Sequence, residues 1–311
     1  MSVQGCPSET VLAGSVPSCE GCPGRDYCRS AAKNESLDND KLRTRMGAIQ
    51  YKILVVAGKG GVGKSSVAAG LAVSLAMSGK SVGILDVDIC GPSIPRLLNL
   101  QGQQVQDSPY GWIPPCPQWS NKKLKVLSAG FLTANRDTPI VWRGPRKTSL
   151  IKRFLSDTFW GKLDYLIIDT PPGTSDEHLS VVGALKASKP DGAIIITTPQ
   201  DVSSITVRKE ISFCKKMDIP ILGIVENMSG FVCPCCNTHT SIYEGSGGEQ
   251  LATEHNINFL GKIPIDPQVS HCGDLGLNLA EEYPDSPSAQ GLNNVMDLLL
   301  TSLASNRTDN K

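Results

Sequence analysis

The chain carries no net charge: its 30 lysine and arginine residues balance 30 aspartate and glutamate residues, with the 4 histidines neutral at pH 7. Without a whole-molecule field, only a local basic patch would draw it to DNA, RNA or an anionic membrane, and no such patch is evident. Neither nucleic acid nor membrane is therefore an expected partner. The first 18 residues, MSVQGCPSETVLAGSVPS, lack a basic n-region and an apolar run of signal-peptide length, and no stretch approaches a transmembrane span. A cytoplasmic location is expected, with the nucleus open to it. No internal repeat is visible. Hydrophobic residues make up 40% of the 311, with 30 Gly and 21 Pro, which excludes a disordered tail, a collagen-like chain and a bare coiled coil. At about 150 residues per domain the length fits two units, or one large α/β domain with an appendage.

Cysteine, by contrast, is plentiful at 11 residues. Thiols stay reduced inside cells, so pairs at ligand-like spacing read as metal or cluster sites rather than disulfides. Cys6, Cys19, Cys22 and Cys28 precede residue 30, and Cys233, Cys235 and Cys236 crowd together. Cys90, Cys116, Cys214 and Cys272 are scattered singly and are read as structural or incidental. Residues 1–33 also hold Pro7, Gly14, Pro17, Gly21, Pro23 and Gly24, without a sustained strand or helix period. Such a segment cannot bury a core and is expected to fold around a metal. Residues 34–50 are polar, with Leu37, Leu42, Met46 and Ile49 at helical spacing, and read as a linker ending in a short helix.

From Tyr51 the texture changes to short apolar runs separated by helical segments, the pattern of a parallel sheet buried on both faces. Strands are expected at Lys52 to Ala57, Ser81 to Asp86, Leu124 to Ser128, Tyr165 to Asp169, Ala193 to Thr197, Ile221 to Val225 and Phe259 to Ile263. Helices are expected near Lys64 to Ser78, Pro145 to Leu155, Glu177 to Leu185, Ser203 to Lys216, Glu249 to Glu254 and Ala289 to Leu303. The fold class is α/β, a doubly wound, mostly parallel sheet over 51–303, whose ligands bind at the carboxyl ends of strands. Residues 304–311 read as a flexible tail.

The first strand runs into Gly58-Lys59-Gly60-Gly61-Val62-Gly63-Lys64-Ser65, which satisfies G-x-x-x-x-G-K-[ST] and opens a helical segment. Its glycines let backbone N–H groups converge on phosphate oxygens, and the helix N-terminus adds positive potential. Lys64 reaches the β and γ phosphates and Ser65 ligates Mg²⁺, so ATP and Mg are the expected ligands. The competing reading, a glycine-rich turn matching by chance, does not explain the strand-loop-helix context. Asp86 and Asp88 follow the second strand, two residues apart and so on one side of it, where carboxylates can hold metal-bound water or orient an attacking one. Leu166-Ile167-Ile168-Asp169-Thr170-Pro171-Pro172-Gly173 is a buried strand ending in an acid, as a Walker B segment requires, with Gly173 placed to sense a γ-phosphate. Asn227 closes the strand Ile221 to Val225, a position where Asn is commonly a turn residue.

Lys59, directly after Gly58, makes the loop GKGGVGKS. It resembles the deviant Walker A loop of the ATPase class that includes the nitrogenase iron protein and the division-site and partition ATPases. The resemblance implies that Lys59 reaches across a nucleotide-sandwich dimer to the partner's phosphates. It also implies catalytic roles for Lys59, Lys64, Asp88 and Asp169, with Asp88 positioning the lytic water. Asp86 would act on Mg²⁺ through bound water and Asn227 would hydrogen-bond adenine. The implied nucleotide contacts are Gly58, Lys59, Gly60, Gly61, Val62, Gly63, Lys64, Ser65, Ser66, Asp86, Gly173 and Asn227.

Cys233 and Cys236 form a C-x-x-C pair, half of a four-ligand site, which a two-fold dimer completes by supplying the same pair again. A zinc site uniting this pair with Cys19 and Cys22 is the alternative. The constellation GKGGVGKS, DVDICGPSIP, WRGP, IIDTPPGTSDEHLS and ENMSGFVCPCC, with the N-terminal cysteines, closely resembles the Mrp/NBP scaffold ATPases of cytosolic iron-sulfur cluster assembly, in their long subtype. The resemblance implies an ATP-hydrolysing scaffold, a homodimer or a heterotetramer with the shorter paralogue. One [4Fe-4S] cluster would sit on Cys6, Cys19, Cys22 and Cys28, and a labile one would bridge subunits through Cys233 and Cys236 for transfer to apoproteins or targeting proteins. Two features depart from the family pattern: Cys6 to Cys19 encloses 12 residues, one fewer than usual, and Cys235 stands where a non-cysteine is usual. Two other classes compete. A positioning or partition ATPase shares the nucleotide motifs, but Leu292 to Leu303 carries Asp297 as its only charge, unlike a basic membrane anchor. A zinc-stabilised nucleotide-binding adaptor is the third.

Overall fold

In the computed structural model, residues 20, 25, 39–89, 91–132, 144–173, 176–185, 189–243, 245 and 247–308 are described. The central strand β1 (Ile49–Val56) is almost wholly buried, and its alternation sets up the molecule. Ile53 and Val55 point into one apolar core, while Leu54 and Val56 point into the other. This is the period-2 geometry of a strand covered on both faces.

Around β1 lie β2 (Val82–Asp86), β3 (Leu124–Ser128), β4 (Leu163–Asp169), β5 (Gly192–Thr197), β6 (Ile221–Val232), β7 (His239–Thr240) and β8 (Phe259–Ile265), in the order β3-β2-β4-β1-β5-β6-β7 with β8 paired to β6. Every pairing is parallel except the β6/β7 hairpin. One face is covered by α2 (Lys64–Met77) and α10 (Pro287–Thr308), which pack Val67, Leu71 and Leu75 and Leu292, Val295, Leu299 and Leu303 into one core. Each such apolar side chain contributes about 1.5–3 kcal/mol on burial. The two helices touch closely because Gly70 has no side chain: a Cβ there would lie 2.7 Å from Leu292 Cδ1. The opposite face is covered by α4 (Gly144–Ser156), α5 (Asp176–Leu185), α6 (Asp201–Lys216) and α7 (Gly247–His255), through Ile151, Phe154, Val181, Leu185, Val207, Ile211 and Leu251. Among the described residues no helix is long and apolar enough to cross a membrane.

Four differences from the sequence reading have physical causes. A helix over 39–47, α1, buries Leu42 and Met46 in the same core as Leu54, and β1 already begins at Ile49. The later half of the expected 34–50 linker is thus part of the domain. α10 continues through Thr308, past the expected start of a tail at 304, because no proline or glycine stops it. β6 outlasts the apolar run Ile221 to Val225 by seven residues, carried across the polar stretch by bulges against β8 and by Met228 at φ 57°. The short helices α3 (Ile94–Leu97), α8 (Pro267–Leu275) and α9 (Leu279–Glu282) were not anticipated, being too brief for a periodic signal.

Candidate functional site

Parallel register brings three strand ends together. Asp86 at the end of β2 is the cross-strand partner of Asp169 at the end of β4, which in turn pairs with Val55 of β1. The loop leaving β1 therefore opens beside two buried carboxylates. Gly61 and Gly63 take φ of +80° and +78°, and a Cβ on Gly63 would sit 2.3 Å from Asn227 Nδ2, so conformation and space both require glycine there. α2 starts at Lys64 with no side-chain cap and no acid in its first turn, leaving its N-terminal N–H groups directed at the loop. Ser65 and Ser66 are half-buried in that first turn.

Lys64 is buried and its ammonium pairs with Asp169 Oδ1, with Ser65 Oγ 3.3 Å away. The two acids differ in what remains free. Asp86 is fully occupied: Oδ1 accepts from the Asp88 N–H at 3.1 Å and Oδ2 from Ser128 Oγ at 2.9 Å. Asp169 Oδ2 is buried without a hydrogen-bond partner. Burial pushes the Asp86 carboxyl well above its ordinary range, and the Asp169 charge adds to it. Burial also raises Asp169, against the opposing pull of Lys64. Two carboxylates sharing one lysine, with one oxygen unsatisfied, suit a divalent cation, and Mg²⁺ takes one or two carboxylates together with phosphate oxygens. The donor set therefore fits Mg-nucleotide, with Ser65 and the Asp169 side beside it. Asp88 lies beyond the end of β2, so strand alternation does not set its direction. Its backbone bond to Asp86 does, and its own carboxylate accepts from the Gly91 N–H at 3.2 Å.

Three expected contacts are engaged within the protein. The Gly173 N–H donates to the Ala57 carbonyl at 2.8 Å, and Thr170 Oγ1 donates to the Val55 carbonyl at 2.8 Å, strapping the exit of β4 across the end of β1. Asn227 is buried and its Nδ2 donates to the Val62 carbonyl at 2.8 Å, bracing the phosphate loop from β6. Lys59 Nζ donates to Gln200 Oε1 at 2.9 Å. Gln200, Ser128 and Thr170 were not anticipated as contributors. Their signal was present in their position at or just beyond strand ends, where α/β ligand sites gather.

Further along β6 the chain turns through Cys233, Cys235 and Cys236 into β7. The Cys233 N–H donates to the Thr238 carbonyl at 3.0 Å and the Asn237 N–H to the Cys233 carbonyl at 2.9 Å, which closes a tight turn. Cys233 is half-buried, Cys235 and Cys236 are exposed, and the Cys236 thiol donates to Thr238 Oγ1 at 3.1 Å. Hydrogen bonding with Thr238 holds the Cys236 thiol below its ordinary range, and the Cys233 thiol contributes as well. Among the described residues no group of three or more His, Cys, Asp or Glu is arranged to hold a metal ion. Cys233 and Cys236 are thus not joined by a third His, Cys, Asp or Glu of this chain among the described residues. Cys214 and Cys272 are buried in the protein interior and Cys116 is half-buried. Cys6, Cys19, Cys22, Cys28 and Cys90 lie outside the described residues.

A phosphate loop between β1 and α2, two acids at adjacent strand ends and the 3-2-4-1-5-6 parallel order define a P-loop nucleoside triphosphatase. Comparison with known proteins narrows this. The family model described as ParA, NUBPL iron-transfer P-loop NTPase, matches residues 48–300. The cytosolic Fe-S cluster assembly factor NUBP2 homolog of Dictyostelium discoideum is 53% identical over 252 residues, 81% of this chain and 95% of the relative. The nucleotide-binding protein of Archaeoglobus fulgidus, solved in complex with ADP, is 40% identical, covers 79% of this chain and 94% of its own, and superposes with a TM-score of 0.69. The septum site-determining protein MinD of Pyrococcus horikoshii OT3, solved with Mg-ADP, is 22% identical over 79% of this chain and 94% of its own, and its TM-score of 0.61 shows a shared fold. The chain belongs to the NUBPL iron-transfer P-loop NTPase family. Residues 1–47, with the four N-terminal cysteines, lie outside the family match.

Proposed function

We propose that this ATPase is a cytosolic scaffold on which [4Fe-4S] clusters are assembled and from which they pass to apoproteins. Lys64, Ser65 and Asp169 bind and activate Mg-ATP, Lys59 leaves Gln200 to reach a partner subunit's phosphates, and Asp88 positions the attacking water. Asp86 would act on Mg²⁺ through bound water, and Asn227 would contribute to the adenine side. Cys233 and Cys236, doubled by a second subunit, hold the cluster that is cargo. Cys6, Cys19, Cys22 and Cys28 hold a resident cluster in the N-terminal segment. The working assembly is a homodimer or a heterotetramer with a shorter paralogue.

The observation that carries this reading is the path of β6. Asn227 grips the phosphate loop through Val62, and six residues later the same strand enters the cysteine turn. At no more than about 3.3 Å per residue, and less across the bulge between Asn227 and Phe231, the two sites lie within about 20 Å of each other along one backbone. Nucleotide binding that moves the loop acts on a continuous strand ending at the thiols, and it shifts cluster affinity by its difference in affinity between the two states. The names of the relatives, an iron-sulfur assembly factor and an ADP-bound protein, agree with both halves.

Anaerobic reconstitution with iron and sulfide, followed by Mössbauer spectroscopy and native mass measurement, tests the reading on the wild type and a Cys233/Cys236 double variant. Wild-type dimer should carry a bridging [4Fe-4S] cluster that the double variant lacks. Zinc alone, with no cluster in either protein, would refute it.

A further inference from the structure

Beside the cysteine turn lies a groove of about 520 Å³ that the nucleotide and thiol chemistry leaves unused. Phe231, Ile265 and Tyr283, each half-buried, line its apolar floor, and Pro234 of the cysteine turn forms one wall. Its place follows from the sheet: Phe231 and Ile265 are cross-strand partners where β6 and β8 end, and the segment joining α9 to α10 closes the other side. Exposed carboxylates of Glu282 and Asp285 stand on the rim, and among the described residues no lysine, arginine or histidine lines the groove. A third carboxylate, Asp266, is already occupied, accepting from the Gln268 N–H at 2.9 Å and the Ser288 N–H at 3.3 Å. Among the described residues the rim charges have no such partners inside the groove, so it is a negative, partly apolar slot on a chain of zero net charge.

We propose that this groove receives an extended segment of the cluster-accepting protein, one carrying a lysine or arginine next to an apolar side chain. The charge sign selects the cation, and the aromatic and aliphatic floor takes the neighbouring side chain. The volume lies within the roughly 300–1,000 Å³ range of sites that bury a ligand. Pro234 belongs both to the groove wall and to the turn bearing Cys233, Cys235 and Cys236, so a segment docked here holds the acceptor's own thiols next to the cargo. Docking turns transfer between two proteins into exchange within one complex. The proposal rests on the cysteine turn being the hand-off point.

Two measurements separate the proposal from the reading beneath it. In the first, fluorescence anisotropy follows binding to the full-length chain of a labelled peptide, Gly-Lys-Leu-Arg-Leu-Gly, against its counterpart Gly-Glu-Leu-Glu-Leu-Gly. The basic peptide should bind at least tenfold more tightly, lose at least tenfold affinity with Glu282→Lys plus Asp285→Lys, and weaken steeply with salt. In the second, cluster transfer to an apo-ferredoxin of the [4Fe-4S] type is timed. The charge-reversed protein should load iron and hydrolyse ATP as wild type does, yet transfer at least tenfold more slowly. Should charge reversal impair folding, Glu282→Gln plus Asp285→Asn gives the same test with smaller effects. Equal affinity for the two peptides, or peptide binding and transfer both unchanged in the variants, overturns the groove. A change in oligomeric state as the main effect of the variants also overturns it, since the occupant would then be a second copy of this chain. Wild type that loads no cluster at Cys233 and Cys236 overturns the underlying reading instead, and the peptide titration still decides the groove.

Discussion

Replacing Asn227 with alanine probes the link between the phosphate loop and the cysteine turn. Asn227 and Val62 are both buried, and the 2.8 Å bond from Nδ2 is what satisfies the Val62 carbonyl from β6. Deleting the donor leaves a buried carbonyl unpaired, at a cost of about 1–3 kcal/mol. In a domain of this size each kcal/mol moves the unfolding midpoint by roughly 2–4 °C, so calorimetry without nucleotide should show a fall of roughly 2–12 °C. If the lost free energy falls mainly on the preorganised loop, ATP affinity drops by about 5–150-fold, measurable by titration calorimetry. Asn227→Asp keeps the shape but places an acceptor against an acceptor and should be at least as damaging. The decisive readout is coupling: cluster release that depends on ATP in the wild type should become nucleotide-independent in Asn227→Ala, although Cys233 and Cys236 remain. An unchanged midpoint, unchanged ATP affinity and intact nucleotide dependence together would refute the idea that β6 transmits between the sites.

Lys64→Ala removes one partner of a buried ion pair, which typically costs about 3–5 kcal/mol where the other charge stays ionised. Without the ammonium, Asp169 rises further and takes up a proton in the folded state, so the deficit should be smallest in acid and grow as pH rises, as urea unfolding at pH 5 and pH 8 would reveal. Glu210 is buried in α6 with both carboxylate oxygens unpartnered, and burial pushes it up to about 7 from an ordinary value of 4.5. Its folded value exceeds its unfolded one, so its protonated form favours folding below about pH 4.5 and this contribution is lost as pH rises to about 7, by about 1–3 kcal/mol. Glu210→Gln should flatten that slope in chemical denaturation, and an identical slope would count against the burial argument. Cys233→Ala or Cys236→Ala should abolish cluster transfer while leaving ATP affinity within about twofold. A parallel loss of nucleotide binding would show the turn to be a folding element rather than a ligand.

Much of the site was legible because its chemistry is local. The glycines and Lys64 of the loop, Asp86 and Asp169 at strand ends, and the Cys233/Cys236 spacing all lie within short stretches whose backbone conformation follows from neighbouring residues. The buried strands were legible for the same reason, as runs such as Ile53-Leu54-Val55-Val56 have few alternatives. What escaped notice depends on residues far apart. Gln200 comes to Lys59 across 141 positions, and Ser128 to Asp86 across 42. The helical spacing of Leu42 and Met46 announced a short helix, but not that α1 packs them against Leu54 in the core.

The sequence by itself determined the nucleotide chemistry, the α/β class and a pair of cysteines at ligand-like spacing, since each is written in residue types at fixed spacing. Tertiary structure alone decided which acid keeps a free oxygen, that the phosphate loop is held from β6, and that a negative apolar groove adjoins the cysteine turn. Those facts arise where parallel strands from distant parts of the chain end side by side, and register between strands, unlike spacing along one, depends on the packing of the whole sheet.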